Sequence, residues 1–264
     1  MWNPYEELPR KTRRLMGAGS VVTVLAIWAA VTAAALVSPA KLPAPWAVAS
    51  AFRRLAWDEQ RGESPLFDAT WHSVMRVAIA GVLVFVIGTP IGVLMGASPR
   101  INAFLSPLVD PFRSAPVVAL LPILVMWLGI GETMKIAFLF VGAVVFLIPM
   151  VRDALLAVPQ QHWVLARDLG ATPWEAIRTA VLPMAKPRIA DAATVAVSVM
   201  WTYITVAEYV NAESGLGQLI QNARRFSAMD QVFVGIIVIV ALALLTYGGM
   251  VTLKRKLFPW ETEA

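Results

Sequence analysis

Apolar residues in this chain fall in long unbroken runs separated by polar stretches. A helix needs about 20 apolar residues to cross roughly 30 Å of hydrocarbon. Six runs meet or approach that length, at about 19–37, 74–97, 115–130, 135–151, 188–209 and 231–253. The pattern predicts an all-α polytopic membrane protein with six transmembrane helices. A membrane β-barrel would show alternating segments of about ten residues, and this chain has none. The third run is short and bracketed by Pro111, Pro116, Pro122 and Gly129. It can begin earlier, near Ile101, as a bent helix, because neighbouring helices can re-satisfy backbone groups freed by proline.

The most informative polar interruption is residues 160–187, QQHWVLARDLGATPWEAIRTAVLPMAKP. It reads as two short helices joined at Gly170-Ala171. Thr172 can cap the second helix, Pro173 suits its first position, and Glu175 completes a capping box. Leu182-Pro183 is expected to stop that helix, because proline lacks the amide hydrogen that continuation requires. A compact helical elbow between spans is a handle for another protein. Outside the first run, SPAKLPAPWAV opens a proline-rich stretch, and residues 46–57 form a short amphipathic helix with Trp46 and Trp57 suited to an interface.

Composition agrees. Of 264 residues, 58% are hydrophobic and 15% charged, against about 25% charged in soluble domains. The absence of cysteine excludes disulfides and thiolate metal sites. His72 and His162 are too few and too scattered for a metal cluster. The net charge of +5 is not a nucleic-acid signal, because basic residues gather in cytoplasmic loops of membrane proteins. With the N-terminus inside, thirteen of the 22 lysines and arginines are cytoplasmic: Arg10, Lys11, Arg13, Arg14, Arg100, Arg152, Arg167, Arg178, Lys186, Arg188, Lys254, Arg255 and Lys256. Seven are external (Lys41, Arg53, Arg54, Arg61, Lys135, Arg224 and Arg225). Both termini and the elbow are therefore expected inside. The first run exceeds the 7–15 residues of a signal-peptide core and reads as an uncleaved anchor.

Charges inside spans are costly and are usually paired or functional. Arg76, Asp191 and Glu208 lie near span ends and are expected to snorkel to an interface. Asp110 and Arg113, three apart, share a helix face and can pair. A sharper alternative sets Arg113-Ser114 beside a pathway, where a guanidinium meets an anion bidentately. Arg76, Arg113, Ser114 and Glu208 are thus the candidate pathway or gate residues. Gly88, Gly92 and Gly96 recur every four residues, with Gly81 a turn or two earlier, and mark a close-packing face. Gly215-Leu216-Gly217 suggests a tight turn before a short helix at about 218–226, either a gate element or a plain loop. Gly129-Ile130-Gly131-Glu132 reads as an external turn. There is no G-x-x-x-x-G-K-[ST] loop, G-x-S-x-G or H-E-x-x-H, so no enzyme constellation is present.

A family signature of the form E-A-A-x-x-x-G-x(9)-I-x-L-P places Ala166, Gly170, Leu182 and Pro183 in register. Val164 occupies the Glu position, Leu165 the first Ala and Ala180 the Ile. LPAP at 42–45, SPLVDPFRSAPVVALLPILVMWLGIGE at 106–132, Ala207-Glu208, GLG at 215–217 and Pro259-Trp260 extend the match. The chain resembles the permease subunits of binding-protein-dependent ABC importers, most of all the nitrate/sulfonate/taurine/bicarbonate group.

That resemblance implies a type I ABC importer (MetI-like) permease fold in a bacterial inner membrane. It divides the chain into a cytoplasmic tail 1–18, an anchor helix 19–37, a periplasmic segment 38–73, a core permease domain 74–253 and a cytoplasmic tail 254–264. Two permease subunits pair as a homodimer, with the pathway between them. Two cytoplasmic ATP-binding subunits carry ATP and Mg, so this chain itself binds no cofactor and is no enzyme. A periplasmic solute-binding protein delivers a small oxyanion or organic acid; some relatives carry thiamine-like pyrimidine precursors instead. The resemblance assigns ATPase coupling to Ala166, Arg167, Asp168, Leu169, Gly170, Ala171, Thr172, Pro173, Trp174, Glu175, Leu182 and Pro183. Independently, a permease without a nucleotide site can be driven only through a partner's differential contacts. Taking a two-state equilibrium from 1:99 to 99:1 needs about 5.5 kcal/mol, more than one loop contact supplies. The rival readings are an ion-coupled secondary transporter or channel, and a membrane scaffold that uses the elbow only for docking. The first would need carboxylate relays near the midplane or paired broken helices.

Overall fold

A computed structural model describes residues 9–57, 62–210 and 213–261. Arg61, one of the expected external basic residues, lies outside them, as do residues 1–8 and 262–264 of the expected tails. The described residues form helices and connecting turns, with no strand among them. The chain divides into two compact units, Met1–Leu66 with Leu219–Ile236 and Phe67–Gln218 with Ile237–Ala264.

In the first unit, α1 (Arg10–Ala33) carries the first apolar run. It ends where Ala35 takes a positive φ and its amide turns back to the Thr32 carbonyl. The amphipathic helix expected at 46–57 is α2 (Pro45–Ala56), with proline in its first turn. Val48 and Ala51 are buried, while Trp46, Phe52 and Trp57 are exposed. The Trp28 indole N–H donates to the Pro43 carbonyl at 3.0 Å, and its ring stacks on Phe233. Arg54 pairs with Asp230 at 2.8 Å.

The second unit is built around its most buried helix. In chain order come α3 (Pro65–Ala97), α4 (Pro99–Val109), α5 (Leu121–Leu128), α6 (Glu132–Leu156), α7 (Gln160–Asp168), α8 (Pro173–Ala176), α9 (Leu182–Tyr209), α10 (Leu216–Arg225) and α11 (Met229–Leu257). Helix α3 begins in the first unit, and α10 and α11 each have residues in both. Among the described residues five helices are long and apolar enough to cross a membrane, or six if one bent pair counts as a single span. That pair, Pro99–Arg113 with Val117–Leu128, turns through 97°. The expected third span is thus broken in two, and the break falls at Ser114–Pro116, where Pro116 takes an extended conformation. Helix α6 packs on α9, and Leu139, Ala143, Leu147 and Val151 join Ala192, Ala196, Met200 and Ile204 in one core cluster.

The glycine face of α3 explains how α6 comes so close. A Cβ on Gly92 would stand 2.7 Å from the Ile148 carbonyl oxygen and from Val151 Cβ, and one on Gly96 2.8 Å from Leu155 Cβ. Gly88 is similarly close to Val144 and Leu147. Gly81 faces open space and is not part of the contact. Gly142 of α6 does the same for α9, receiving the Tyr203 ring.

One expected boundary is overturned. Leu182-Pro183 does not stop the second elbow helix. Residues Ile177–Val181 form a π turn, and the helix runs continuously over Pro173–Tyr209. A π turn bonds each carbonyl to an amide one residue further on, so the chain passes Pro183 without a break. The Thr179 hydroxyl also donates to the Glu175 carbonyl at 2.6 Å.

Candidate functional site

The elbow is held by its own sequence. Helix α7 ends in a Schellman motif: Gly170 N–H reaches the Arg167 carbonyl at 3.0 Å and Ala171 N–H the Ala166 carbonyl at 3.1 Å. This requires the left-handed φ of +91° at Gly170, which glycine adopts without strain. Thr172 Oγ1 accepts from the Glu175 amide at 3.3 Å, and the Glu175 carboxylate accepts from the Thr172 amide at 2.7 Å, so the capping box forms as expected. The Arg167 guanidinium donates to the Ala171 carbonyl and lies over the Trp163 ring. Asp168 is the last residue of α7, and Pro173 opens α8. Leu165, Leu169 and Trp174 present apolar surface, Leu169 at 81% exposure. The turn thus has fixed backbone geometry and an unburied apolar face.

A second constellation sits where α3, α6 and α9 meet the Gly215-Leu216-Gly217 turn. Arg76 does not snorkel. Its side chain is 2% exposed and that of Glu208 is 0%. Arg76 Nη1 donates to Glu208 Oε1 at 2.6 Å and to the Ser214 carbonyl at 2.9 Å. Nη2 donates to Glu132 Oε1 at 2.7 Å and to Ser214 Oγ at 2.8 Å, while Nε donates to Glu132 Oε2 at 2.6 Å. All five guanidinium N–H groups are thereby used. Glu208 also accepts from Ser73 Oγ at 2.7 Å and from the Gly217 amide at 2.7 Å, and Ser73 Oγ accepts from the Leu216 amide at 2.9 Å. Lys135 reaches Glu132 Oε1 at 2.8 Å. The snorkelling expectation fails because each charge finds its opposite on a neighbouring helix, which removes the drive toward water. Asp191 is half-exposed and pairs with Lys254 at 2.7 Å.

The expected Asp110–Arg113 pair does not form. The helix gives way to a 3₁₀ turn at Pro111–Arg113, and both side chains turn to partners on α6. Asp110 instead accepts from Arg152 of α6 at 2.9 Å, and Arg113 approaches Asp153 at 3.8 Å. Ser114 closes the 3₁₀ turn with its amide on the Pro111 carbonyl.

Sequence reasoning missed Glu132, Glu208 and Ser214 as partners of Arg76, and Ser73 and Lys135 as the residues that tie to Glu208 and Glu132. The available signal was that Arg76, Glu132, Lys135 and Glu208 all lie near the same predicted ends of their spans. Among the described residues no group of histidines and carboxylates is arranged to hold a metal.

The sequence profile of the binding-protein-dependent transport system inner membrane component family matches residues 88–259. The chain is 31% identical over 258 residues to the taurine transport system permease protein of Escherichia coli (strain K12), covering 97% of this chain and 93% of that protein. It is 30% identical over 238 residues to an aliphatic sulfonates transport permease protein of Bacillus subtilis (strain 168), covering 90% and 84%. Its fold matches a chain of the MetNI methionine ABC transporter in an inward-facing conformation, with a TM-score of 0.63 and 28% identity over 71% of this chain and 94% of that one. Fold and likeness together define a multi-pass permease component of an ABC importer. The chain belongs to the family of binding-protein-dependent transport system inner membrane components.

Proposed function

We propose that this permease carries a small organic sulfonate of the taurine type, or a closely related oxyanion, into a bacterial cell. The observation that carries this reading is the 31% identity to a taurine permease across 97% of the chain. The aliphatic sulfonate relative points to the same headgroup chemistry. In this reading two copies pair around the pathway in the inner membrane, both termini lie in the cytoplasm, and a periplasmic binding protein supplies the solute.

The driving force enters through residues 160–187. The Schellman turn and capping box keep the elbow rigid, and exposed Leu165, Leu169 and Trp174 offer apolar contact area to an ATP-binding subunit. A rigid connector transmits displacement that a loose loop would absorb. ATP and Mg are held by that partner.

The reading is tested by reconstituting the permease with its ATP-binding and solute-binding partners in proteoliposomes and measuring uptake of taurine, ethanesulfonate, nitrate and bicarbonate. Uptake of the sulfonates that requires ATP and binding protein is expected. Import of nitrate or bicarbonate in their place overturns the sulfonate assignment, and uptake driven by an ion gradient without ATP overturns the mechanism.

A further inference from the structure

Two carboxylates serve Arg76, and they are held very differently. Glu208 is sealed, with its oxygens also tied to Ser73 and to the Gly217 amide. Glu132 is 55% exposed, and among the described residues its carboxylate accepts from Arg76 and Lys135. With more than half of its side chain open to solvent, Glu132 can turn outward, while the enclosed Glu208 cannot.

The position its carboxylate occupies is a preformed oxyanion site. Arg76 Nε and Nη2 present a fork, and Lys135 Nζ adds a third donor beside it. Both cations are almost fully buried, at 2% and 3% exposure. A guanidinium fork matches a planar or tetrahedral oxyanion bidentately, and an ammonium donates to a remaining oxygen as a point charge. With Glu132 swung out, Arg76 and Lys135 outweigh Glu208 by one positive charge. Three donors then face an empty anion-sized position.

We infer that the Arg76 fork and Lys135 form a transient binding site for the oxyanion headgroup of the solute, with the Glu132 carboxylate as a tethered occupant that the solute displaces. The inference rests on the solute being an oxyanion. It gives the Ala207-Glu208 and Gly-Leu-Gly residues a purpose: they hold Arg76 from behind so that one edge of its guanidinium stays available for exchange. A tethered competitor lowers apparent affinity in proportion to the time it occupies the site. Such a site captures an anion briefly and releases it, as a pathway requires.

The test measures methanesulfonate binding by titration calorimetry to the full transporter complex without the solute-binding protein. Glu132→Gln keeps side-chain size and removes the competing charge. It is expected to tighten methanesulfonate binding about tenfold, corresponding to Glu132 vacating the site roughly a tenth of the time in the parent. Glu132→Gln/Lys135→Met is expected to lose that gain. Glu132→Ala serves as a second single variant and is expected to show the same gain. No tightening in either single variant, or a gain that survives in the double variant, overturns the inference. A complex that imports taurine yet shows no gain refutes this site alone. A complex that shows the gain but imports no sulfonate refutes the substrate assignment and leaves the site standing.

Discussion

Arg76 Nη1 lies 2.6 Å from Glu208 Oε1, and neither side chain is more than 2% exposed. Removing one partner of a buried pair strands the other charge, at about 3–5 kcal/mol. Glu208→Ala is therefore expected to lower the melting temperature in detergent sharply and to cut membrane yield. Glu132→Gln is expected to cost far less, because the half-exposed rim of the cluster is open to water. Equal losses from the two variants, read by thermal unfolding, would show that the buried and exposed limbs do not differ.

Gly92 leaves no room for a side chain against Ile148 and Val151. Gly92→Ala is expected to destabilise the protein by about 1–3 kcal/mol, as overpacking of a fixed contact does. Gly81→Ala, which meets nothing within 4 Å, is the matched control and should be neutral or slightly stabilising. Comparing the two melting curves separates close packing from helix propensity.

Gly215 and Gly217 are a sterner case. A Cβ at Gly215 would fall 2.5 Å from both Arg76 Nη1 and Glu208 Oε1, at a φ of +112°, and one at Gly217 would fall 2.7 Å from Glu208 Cβ. Gly215→Ala is expected to match or exceed Glu208→Ala in its loss of folded yield, because it both strains the backbone and pries the pair apart.

The elbow is tested through work done rather than stability. Gly170→Asp has open space around it, so the protein should still reach the membrane. The left-handed backbone there disfavours a side chain, so the turn should re-form differently. ATP-dependent uptake is expected to vanish and co-purification of the ATP-binding subunit to weaken. Thr172→Ala, which removes one cap, should cost about 1 kcal/mol locally and reduce uptake only partly. Normal transport by Gly170→Asp would refute the coupling assignment.

Arg152 reaches both Asp110 and Asp153 at 2.9 Å with its side chain mostly covered, whereas Arg113 is exposed and 3.8 Å from Asp153. Arg113→Ala should therefore change stability by less than about 1 kcal/mol, and Arg152→Ala by more. Thermal unfolding of the two single variants checks the order.

Local rules were readable in the chain. Thr172, Pro173 and Glu175 form their capping box because every partner lies within four residues. The glycines of α3 were readable because helical spacing alone puts Gly88, Gly92 and Gly96 on one face. What decides Arg76 lies far along the chain, on Glu132, Glu208 and Ser214, and no spacing rule links those positions. Asp110 and Arg113 misled for a related reason: three-residue spacing permits a pair, but Arg152 and Asp153, some forty residues on, are the partners the fold supplies. Pro183 misled because a wider turn ahead of it absorbs the missing amide.

That wider turn has a rotational consequence. Each residue of an α-helix advances the chain by about 100°, so a π turn amounts to one surplus residue in the count. Deleting one position among Ile177–Val181 would restore ordinary winding and swing the Trp174 face about a quarter-turn around the axis of the fifth span. The direction in which this protein presents its elbow is thus set by a single extra amino acid, and a one-residue deletion would aim the same surface elsewhere.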